Sequence, residues 1–254
     1  MFTNAIVRTP GRSIVEGLSD SKTLGLPNYE QAIIQHQSYI DALTKCGLDV
    51  FVLESCEEYP DSTFVEDVAL ITPNCAIITR PGAPSRRGEV NEIEYILKQK
   101  FNNIEVIEAP GTIEGGDIMM VGNHYYIGLS ERTNLEGAKQ IIQILNKYRM
   151  SASTISLKKV LHLKTGLSYL EKNNLVVCGE FINDSLFEQF NQIEIPKKES
   201  YAANCIWVNE SVIIPLGYPI TKQRIENAGY PVTETDVAEF QKLDGGLSCL
   251  SLRF

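Results

Sequence analysis

GGDIMMVGNHYYIGLSERTNLEGAKQIIQILNKYRMSASTISL, residues 115–157, is the stretch that decides the fold. Two apolar runs, rich in Ile, Met, Val and Tyr, flank Gly122-Asn123, and this pattern predicts a β-hairpin. Residues 130–149 have helical periodicity, with Ser130 or Thr133 as the expected N-cap. Residues 153–157 predict one further strand. The predicted unit is therefore strand, strand, helix, strand.

The same unit recurs along the chain. Hairpins that start near residues 64, 166 and 205 turn at 72–74, 172–174 and 209–210. Predicted helices follow at 88–101, 183–190 and 219–229, and single strands follow at 104–109, 192–196 and 230–235. A fifth unit is split, because residues 246–252 supply its first strand while 4–9, 29–47 and 48–54 supply the remainder.

A period of about 40 to 50 residues is typical of closed or stacked repeat architectures. Joining the two halves of a split unit closes a ring and removes an exposed sheet edge. We therefore predict an α/β fold of five ββαβ units, a propeller with pseudo-fivefold symmetry, forming one domain over residues 1–254. The alternative is a plain doubly wound α/β sheet.

The composition excludes several classes of protein. A net charge of -9 disfavours nucleic acid as a partner and is compatible with a small cationic ligand. No apolar run approaches the ~20 residues that a membrane span needs, and the first residues lack a secretory layout. The six cysteines include no C-x-x-C pair and no zinc-finger spacing to a histidine. We expect a cytoplasmic protein with reduced thiols.

Polar residues interrupt the apolar pattern where each hairpin begins. Equivalent positions of a ring face one end of its axis, so we expect these residues to converge in one pocket. They are Glu66, Asp67, Glu114, Asp117, His162, Thr165, Asn204 and Cys249.

Cys249, in KLDGGLSCLSLRF, has two interpretations. It is either a buried structural thiol or a nucleophile, and a nucleophile needs activation because a free thiol is mostly protonated at neutral pH. Gly245 and Gly246 favour the second interpretation, since they allow close backbone approach or special conformations. His162 is the histidine nearest to a hairpin start, whereas His36 and His124 are expected to be packing or surface residues.

The acidic residues and arginines near the predicted pocket indicate the charges that its ligand carries. Asp61, Glu66 and Asp67 surround an apolar strand, where acids are uncommon unless paired. They either form internal salt bridges or bind a guanidinium, which carboxylates match bidentately. Arg86 and Arg132 follow two of the hairpins. Acids and arginines directed at one pocket fit a zwitterion such as arginine or a relative of it.

Seven segments, taken in order, resemble the dimethylarginine dimethylaminohydrolase family of the pentein, or guanidine-modifying, superfamily. They are DSTFVEDVALI, TRPGAPSRRGE, GTIEGGDIMMVG, GLSERTN, LHLKTGLSYL, AANCIWVN and KLDGGLSCLSLRF, and the similarity runs from about residue 5 to 254. The resemblance implies a single catalytic domain that hydrolyses Nω-methylated arginine to citrulline and methylamine or dimethylamine. It implies no cofactor and no metal, and leaves a homodimer possible.

The resemblance also implies residue roles. Cys249 corresponds to the nucleophile, His162 to the general acid and base, and Glu114 to the acid that orients the histidine. The corresponding substrate contacts are Asp61, Glu66, Asp67, Arg86, Arg132 and the main-chain oxygens of Leu18 and Leu243. Asp67 is the best placed for the guanidinium, and the two arginines for the α-carboxylate. Residues 15–29, which contain Leu18, resemble a mobile lid.

Two alternatives remain open. Arginine deiminases, which act on unmethylated substrate, resemble this chain but have H-x-D where it has His162-Leu163-Lys164. Losing that aspartate leaves space for an N-methyl group, so we expect methylated substrates over those of a deiminase or an amidinotransferase. A non-catalytic pentein-like binding protein would be expected to lack the cysteine, histidine and acid set. Adventitious zinc at Cys249 is also left open.

Overall fold

The computed structural model describes residues 1–19 and 22–254. These residues form five three-stranded sheets, which are connected by helices and turns. The strands are β1 (Asn4–Arg8), β2 (Asp49–Leu53), β3 (Ala69–Ile71), β4 (Ala76–Ile78), β5 (Ile104–Val106), β6 (Ile118–Val121), β7 (His124–Leu129), β8 (Ser151–Ser156), β9 (Leu167–Tyr169), β10 (Asn174–Val177), β11 (Asn191–Glu194), β12 (Ile206–Val208), β13 (Ser211–Pro215), β14 (Val232–Thr235) and β15 (Leu252–Arg253).

Every sheet has the same topology. An antiparallel hairpin supplies the first two strands, and the third strand lies parallel to the second, as in β6-β7-β8. The fifth sheet, β15-β1-β2, combines the two ends of the chain, with Ile6 opposite Leu252. The predicted split unit and the five-unit ββαβ ring are therefore confirmed.

The described residues form six α-helices. They are α1 (Tyr29–Lys45), α2 (Val90–Lys100), α3 (Leu135–Lys147), α4 (Leu163–Gly166), α5 (Pro219–Asn227) and α6 (Ala238–Gln241). Four of them, α1, α2, α3 and α5, connect the second strand of a sheet to the third, whereas α4 and α6 are single turns. The amphipathic pattern explains α2, which buries Ile93 and Leu97.

The short helix predicted over 183–190 is wrong, because the third unit has a 3₁₀ turn there, Ser185–Phe187. Asn183 has a φ of 60°, which interrupts a helix, and the Asp184 side chain accepts from Leu186 N to start the turn. Phe187 and Phe190 then pack with ring centroids 6.3 Å apart.

The predicted N-cap of α3 is also wrong. Asn134 caps the helix by accepting from Gly137 N at 2.8 Å. Ser130 instead accepts from the backbone N–H groups of Arg132 and Thr133 and stabilises the turn before the helix. This turn holds Arg132 beside the candidate site.

The first strands of the five sheets surround the axis of the ring. Residues of β3, β6, β9, β12 and β15 line a cavity of about 150 Å³, here called the axial cavity. Apolar clusters pack between the sheets and their helices, such as Ile127 with Ile141 and Leu145 of α3. No helix within the described residues has the length and apolarity to cross a bilayer.

Candidate active site

Eight of the ten predicted site residues line a second cavity, here called the site cavity, of about 30 Å³. It lies where the chain enters the first strands of several sheets. The predicted residues in its wall are Leu18, Asp61, Asp67, Arg86, Arg132, His162, Leu243 and Cys249. Glu114 lies behind His162, and Glu66 lines the axial cavity instead.

Cys249 lies in a 3₁₀ turn, Ser248–Leu250, just before β15. Neither of the preceding glycines has a positive φ. A Cβ at Gly245 would lie 2.3 Å from the Phe64 ring, and one at Gly246 would lie 2.4 Å from the Asn204 side chain. The glycines therefore allow close packing of this turn, and they are not needed for a left-handed backbone.

The Cys249 thiol is buried, and Gly246 N–H donates to its sulfur at 3.4 Å. Burial raises the pKa of the thiol to about 12, and the carboxylates of Glu66 and Asp67 add to the increase. The thiol is therefore protonated at neutral pH in the free protein. A cation placed beside the sulfur would favour the thiolate.

His162 stands at the N-cap of α4, which fixes its backbone. Its main-chain N–H donates to Thr165 Oγ1, and the next N–H, of Leu163, donates to Asp117 Oδ1 at 3.0 Å. The His162 Nε2 atom lies 2.8 Å from Glu114 Oε2. Burial lowers the pKa of His162, but Asp67, Glu114 and Asp117 outweigh burial and raise it to about 9. The imidazole is thus a proton donor at neutral pH.

Glu114 is fully buried, and its second oxygen is also bound. Glu114 Oε1 accepts from Gly82 N at 3.0 Å and lies 3.6 Å from Arg132 Nη1. Burial would raise the pKa of this carboxyl, but the hydrogen bond and charge of His162 prevail and lower it. A carboxylate held from both sides keeps the imidazole in one orientation.

Asp67 is held by two donors. Its Oδ1 accepts from Gly116 N at 3.0 Å, and its Oδ2 accepts from Arg86 Nη1 at 2.7 Å. Burial raises the pKa of Asp67, but the charges of Arg86 and His162 outweigh it and lower the pKa. The result is a fixed carboxylate in the wall of the site cavity.

Arg86 is itself buried among acceptors. Its Nε and Nη2 atoms donate to the Glu89 carboxylate, and Nη2 also lies near the carbonyls of Asp61 and Phe64. A guanidinium has five N–H donors, and one of the two on Nη1 has no acceptor among these contacts. Arg86 can therefore offer one N–H to a ligand such as the predicted α-carboxylate.

The lid predicted over 15–29 contacts the site through Leu18. Leu18 N donates to Asp61 Oδ1 at 2.9 Å, while Gly17 packs against Leu243 and Asp61. Burial raises the pKa of Asp61, and Arg86 opposes this shift. Asp20 and Ser21 of the predicted lid lie outside the described residues.

Glu66 is the predicted substrate contact that does not face the site cavity. Its Oε1 accepts from Lys164 Nζ at 2.6 Å, and its Oε2 accepts from Ser248 Oγ at 2.6 Å. Both oxygens are thus bound on the axial side. Asn204, also expected in the pocket, binds Ser248 instead.

Sequence reasoning missed Glu89, Lys164 and Ser248 as residues that support the site. Each lies within three residues of a predicted site residue, which is Arg86 for Glu89, His162 for Lys164 and Cys249 for Ser248. Proximity in sequence was the available signal, but the partners of Lys164 and Ser248 lie on distant segments.

Among the described residues, the nitrogen and oxygen atoms of Asp67, Glu114 and His162 lie within 4.8 Å of one another, a spacing compatible with a metal ion. Metal binding requires a neutral imidazole. Because His162 has a pKa of about 9, a cation there would have to displace a proton at neutral pH.

Comparison with known proteins identifies relatives over the whole chain. A family model described as "N,N dimethylarginine dimethylhydrolase, eukaryotic" matches residues 23–215. The N(G),N(G)-dimethylarginine dimethylaminohydrolase of Pseudomonas aeruginosa is 58% identical over 255 residues, which cover 100% of both chains.

Two solved structures have the same fold, each with a TM-score of 0.99, 57% identity and 100% coverage of both chains. One is the Pseudomonas aeruginosa enzyme as a C249S mutant complexed with citrulline. The other is a dimethylarginine dimethylaminohydrolase H162G adduct with S-methyl-L-thiocitrulline. Positions 249 and 162 of the present chain are Cys249 and His162.

Proposed function

Because the chain belongs to the dimethylarginine dimethylaminohydrolase family, we propose that it hydrolyses Nω-methylated arginine to citrulline and methylamine or dimethylamine. The observation that supports this most strongly is that Cys249, His162 and Asp67 line one cavity, although each precedes the first strand of a different sheet. A thiol, an acid and a guanidinium acceptor are the groups that this reaction needs.

Substrate binding uses the charges in the wall of the site cavity. Asp67 accepts hydrogen bonds from the guanidinium, because Arg86 and Gly116 already hold its carboxylate in place. Asp61 and the main-chain oxygens of Leu18 and Leu243 accept from the α-ammonium. The α-carboxylate binds Arg132, and Arg86 adds its remaining N–H.

The substrate cation activates the nucleophile. In the free protein the thiol of Cys249 is neutral and the imidazole of His162 is charged, as their pKa values of about 12 and about 9 indicate. A guanidinium beside the sulfur lowers the pKa of the thiol by charge attraction, so that its proton leaves to solvent. The thiolate then attacks the central guanidinium carbon.

His162 transfers the protons in both halves of the reaction. Its imidazolium protonates the methylated nitrogen as the C–N bond breaks, which releases the amine and leaves an S-alkylthiouronium on Cys249. The neutral imidazole then takes a proton from water, whose oxygen adds to the same carbon. Collapse expels the sulfur, which takes up the hydroxyl proton, and citrulline is released.

Product analysis tests this function. Incubation with asymmetric dimethylarginine should give citrulline and dimethylamine in equal amounts, and Cys249→Ser should abolish both while the protein remains folded. Arginine should give little ammonia in competition with dimethylarginine. Ammonia release from arginine at a rate above that of dimethylamine release would establish a deiminase instead.

The broader proposals follow from the same features. We treat residues 1–254 as one catalytic domain, since the candidate site draws on several sheets of one ring. A cytoplasmic location is supported by the six cysteines, all of which are free. A homodimer, and the absence of nucleic acid as a partner, stay predictions.

A further inference from the structure

Lys164 forms an ion pair across the ring. Its ammonium lies 2.6 Å from Glu66 Oε1, although the two residues are 98 positions apart. The other oxygen, Oε2, accepts from the Ser248 hydroxyl at 2.6 Å. Lys164, Glu66 and Ser248 therefore form a continuous chain of short hydrogen bonds that ends next to Cys249.

These three residues lie on the side of the candidate site that faces the axial cavity. Lys164, Glu66 and Ser248 line the axial cavity. Their near neighbours in sequence, His162, Asp67 and Cys249, line the site cavity. The ion pair thus supports the three main groups of the candidate site from the opposite side.

Ser248 fixes the turn that carries the nucleophile. Its N–H donates to Asn204 Oδ1 at 2.9 Å, and its hydroxyl oxygen accepts from Asn204 Nδ2 at 3.1 Å while donating to Glu66. Ser248 is 3% exposed, so these bonds are shielded from water. A change at Glu66 would therefore be transmitted to the backbone beside Cys249.

The charges of the pair also act on the sulfur. Burial raises the pKa of the Cys249 thiol most, and the carboxylates of Glu66 and Asp67 raise it further. The Gly246 N–H and the Lys164 ammonium lower it. Asp67 is already paired with Arg86. Without Lys164, Glu66 would be an uncompensated anion close to a sulfur that must itself become anionic.

We propose that Lys164 is a positioning residue, which neutralises Glu66 and, through Ser248, holds the Cys249 turn in a state that can form a thiolate. The proposal rests on the proposed function, in which Cys249 is the nucleophile. It assigns a role to the lysine of His162-Leu163-Lys164, the position that distinguishes this chain from deiminases. It also accounts for the direction of the Glu66 carboxylate, whose two oxygens accept from Lys164 and Ser248.

A double-mutant cycle that neutralises each charge in turn, with thiol reactivity as the readout, tests this role. Well below the thiol pKa, the alkylation rate of Cys249 by iodoacetamide follows the thiolate fraction, although lower nucleophilicity partly offsets a lower pKa. Lys164→Met should slow alkylation at pH 8.5 by about threefold to tenfold, and Glu66→Gln should speed it by a similar factor. The double variant should return to near the unsubstituted rate.

The site of alkylation is read by mass spectrometry of the peptide that contains Cys249, because five other cysteines are present. Lys222 and Glu234 provide the matched control, since they form an ion pair at the same 2.6 Å distance away from the site. Lys222→Met and Glu234→Gln should leave the rate unchanged. Lys164→Arg, which retains the charge, should restore most of the rate and most of kcat.

The proposal is overturned if the double variant is as slow as Lys164→Met, because the effect would then come from lost packing and not from charge. It is also overturned if Lys164→Met alkylates at the unsubstituted rate. Should Lys164→Met fail to fold, Lys164→Gln takes its place in the cycle. Alkylation needs no turnover, so a protein that forms no citrulline would refute the proposed function without affecting this result.

Discussion

His162 and His36 are both buried, yet their surroundings shift their pKa values in opposite directions. His36, in α1, is 3% exposed, and its Nε2 has no hydrogen-bond partner in the described part of the chain. Burial lowers its pKa to about 4. His162 is 8% exposed, and three carboxylates raise its pKa to about 9 in spite of burial.

The difference shows that burial alone does not identify a functional histidine. Desolvation disfavours the charged form of both imidazoles, and neighbouring carboxylates reverse that effect at His162. His36 packs near Phe240, with ring centroids 6.4 Å apart, as a neutral core residue. His162 is kept charged and can give a proton to a leaving group.

Replacing each histidine in turn is expected to give the largest difference in kcat between the two sites. His162→Asn should lower kcat for dimethylarginine by about 10³-fold, since general acid and base catalysis contributes 10²–10⁴. His36→Leu should keep kcat within about twofold, because the ring has no role in the reaction. Steady-state citrulline formation measures both, and comparable losses in the two variants would remove the distinction.

Neutralising the carboxylate beside His162 tests why its pKa is high. Glu114→Gln should lower the pKa of His162, because the amide removes the charge and the charged hydrogen bond. Activity requires the imidazolium, so the loss of activity at alkaline pH should begin at a lower pH, with about a tenfold deficit at pH 8. A pH profile of kcat identical to that of the unsubstituted protein would contradict this cause.

The two histidines should also affect stability at opposite ends of the pH range. His162 has a folded pKa above the unfolded value of 6.5, so its stabilisation is complete below 6.5 and lost as pH rises through 9. His36 has a folded pKa below 6.5, so stability is lost as pH falls from 6.5 through 4. Each proton changes the free energy of unfolding by at most about 1.4 kcal/mol per pH unit.

Urea unfolding at a series of pH values measures this contrast. His36→Leu should flatten the acid side of the profile alone, and His162→Asn should flatten the alkaline side alone. The assignment of the two windows fails if either variant changes the opposite side instead.

Replacing Asp117 is expected to cause the smallest change in the pH dependence of kcat. Asp117→Asn keeps an oxygen for the Leu163 N–H but removes a charge that raises the pKa of His162. The alkaline limb of the kcat profile should move down by about half a pH unit, less than for Glu114→Gln, because Asp117 forms no hydrogen bond with the ring. A shift larger than that of Glu114→Gln would mean that Asp117 is the dominant partner.

Local pattern was enough to predict most of the fold. Apolar runs on either side of tight polar turns predicted the hairpins, and helical periodicity predicted α1, α2, α3 and α5. The exceptions were decided by single residues: the Asn134 side chain caps α3, and the positive φ of Asn183 interrupts the predicted 183–190 helix. Such choices depend on energies of about 1 kcal/mol, which pattern does not resolve.

The candidate site was less predictable than the fold. Eight of its ten predicted residues line the site cavity. Glu66 and Asp67, however, are adjacent in sequence and face different cavities. The polar pattern marked both acids equally, since nothing local distinguishes them.

The sequence by itself determined the repeat, the closure of the ring by its two ends, and the set of residues that could react. Only the tertiary structure decided which of these residues face one another and in which protonation state. The physical reason is that strand and turn preferences are local, whereas the pKa of a buried group depends on charges brought near it through space. Lys164 meets Glu66, and Glu114 meets His162, only after distant segments have packed together.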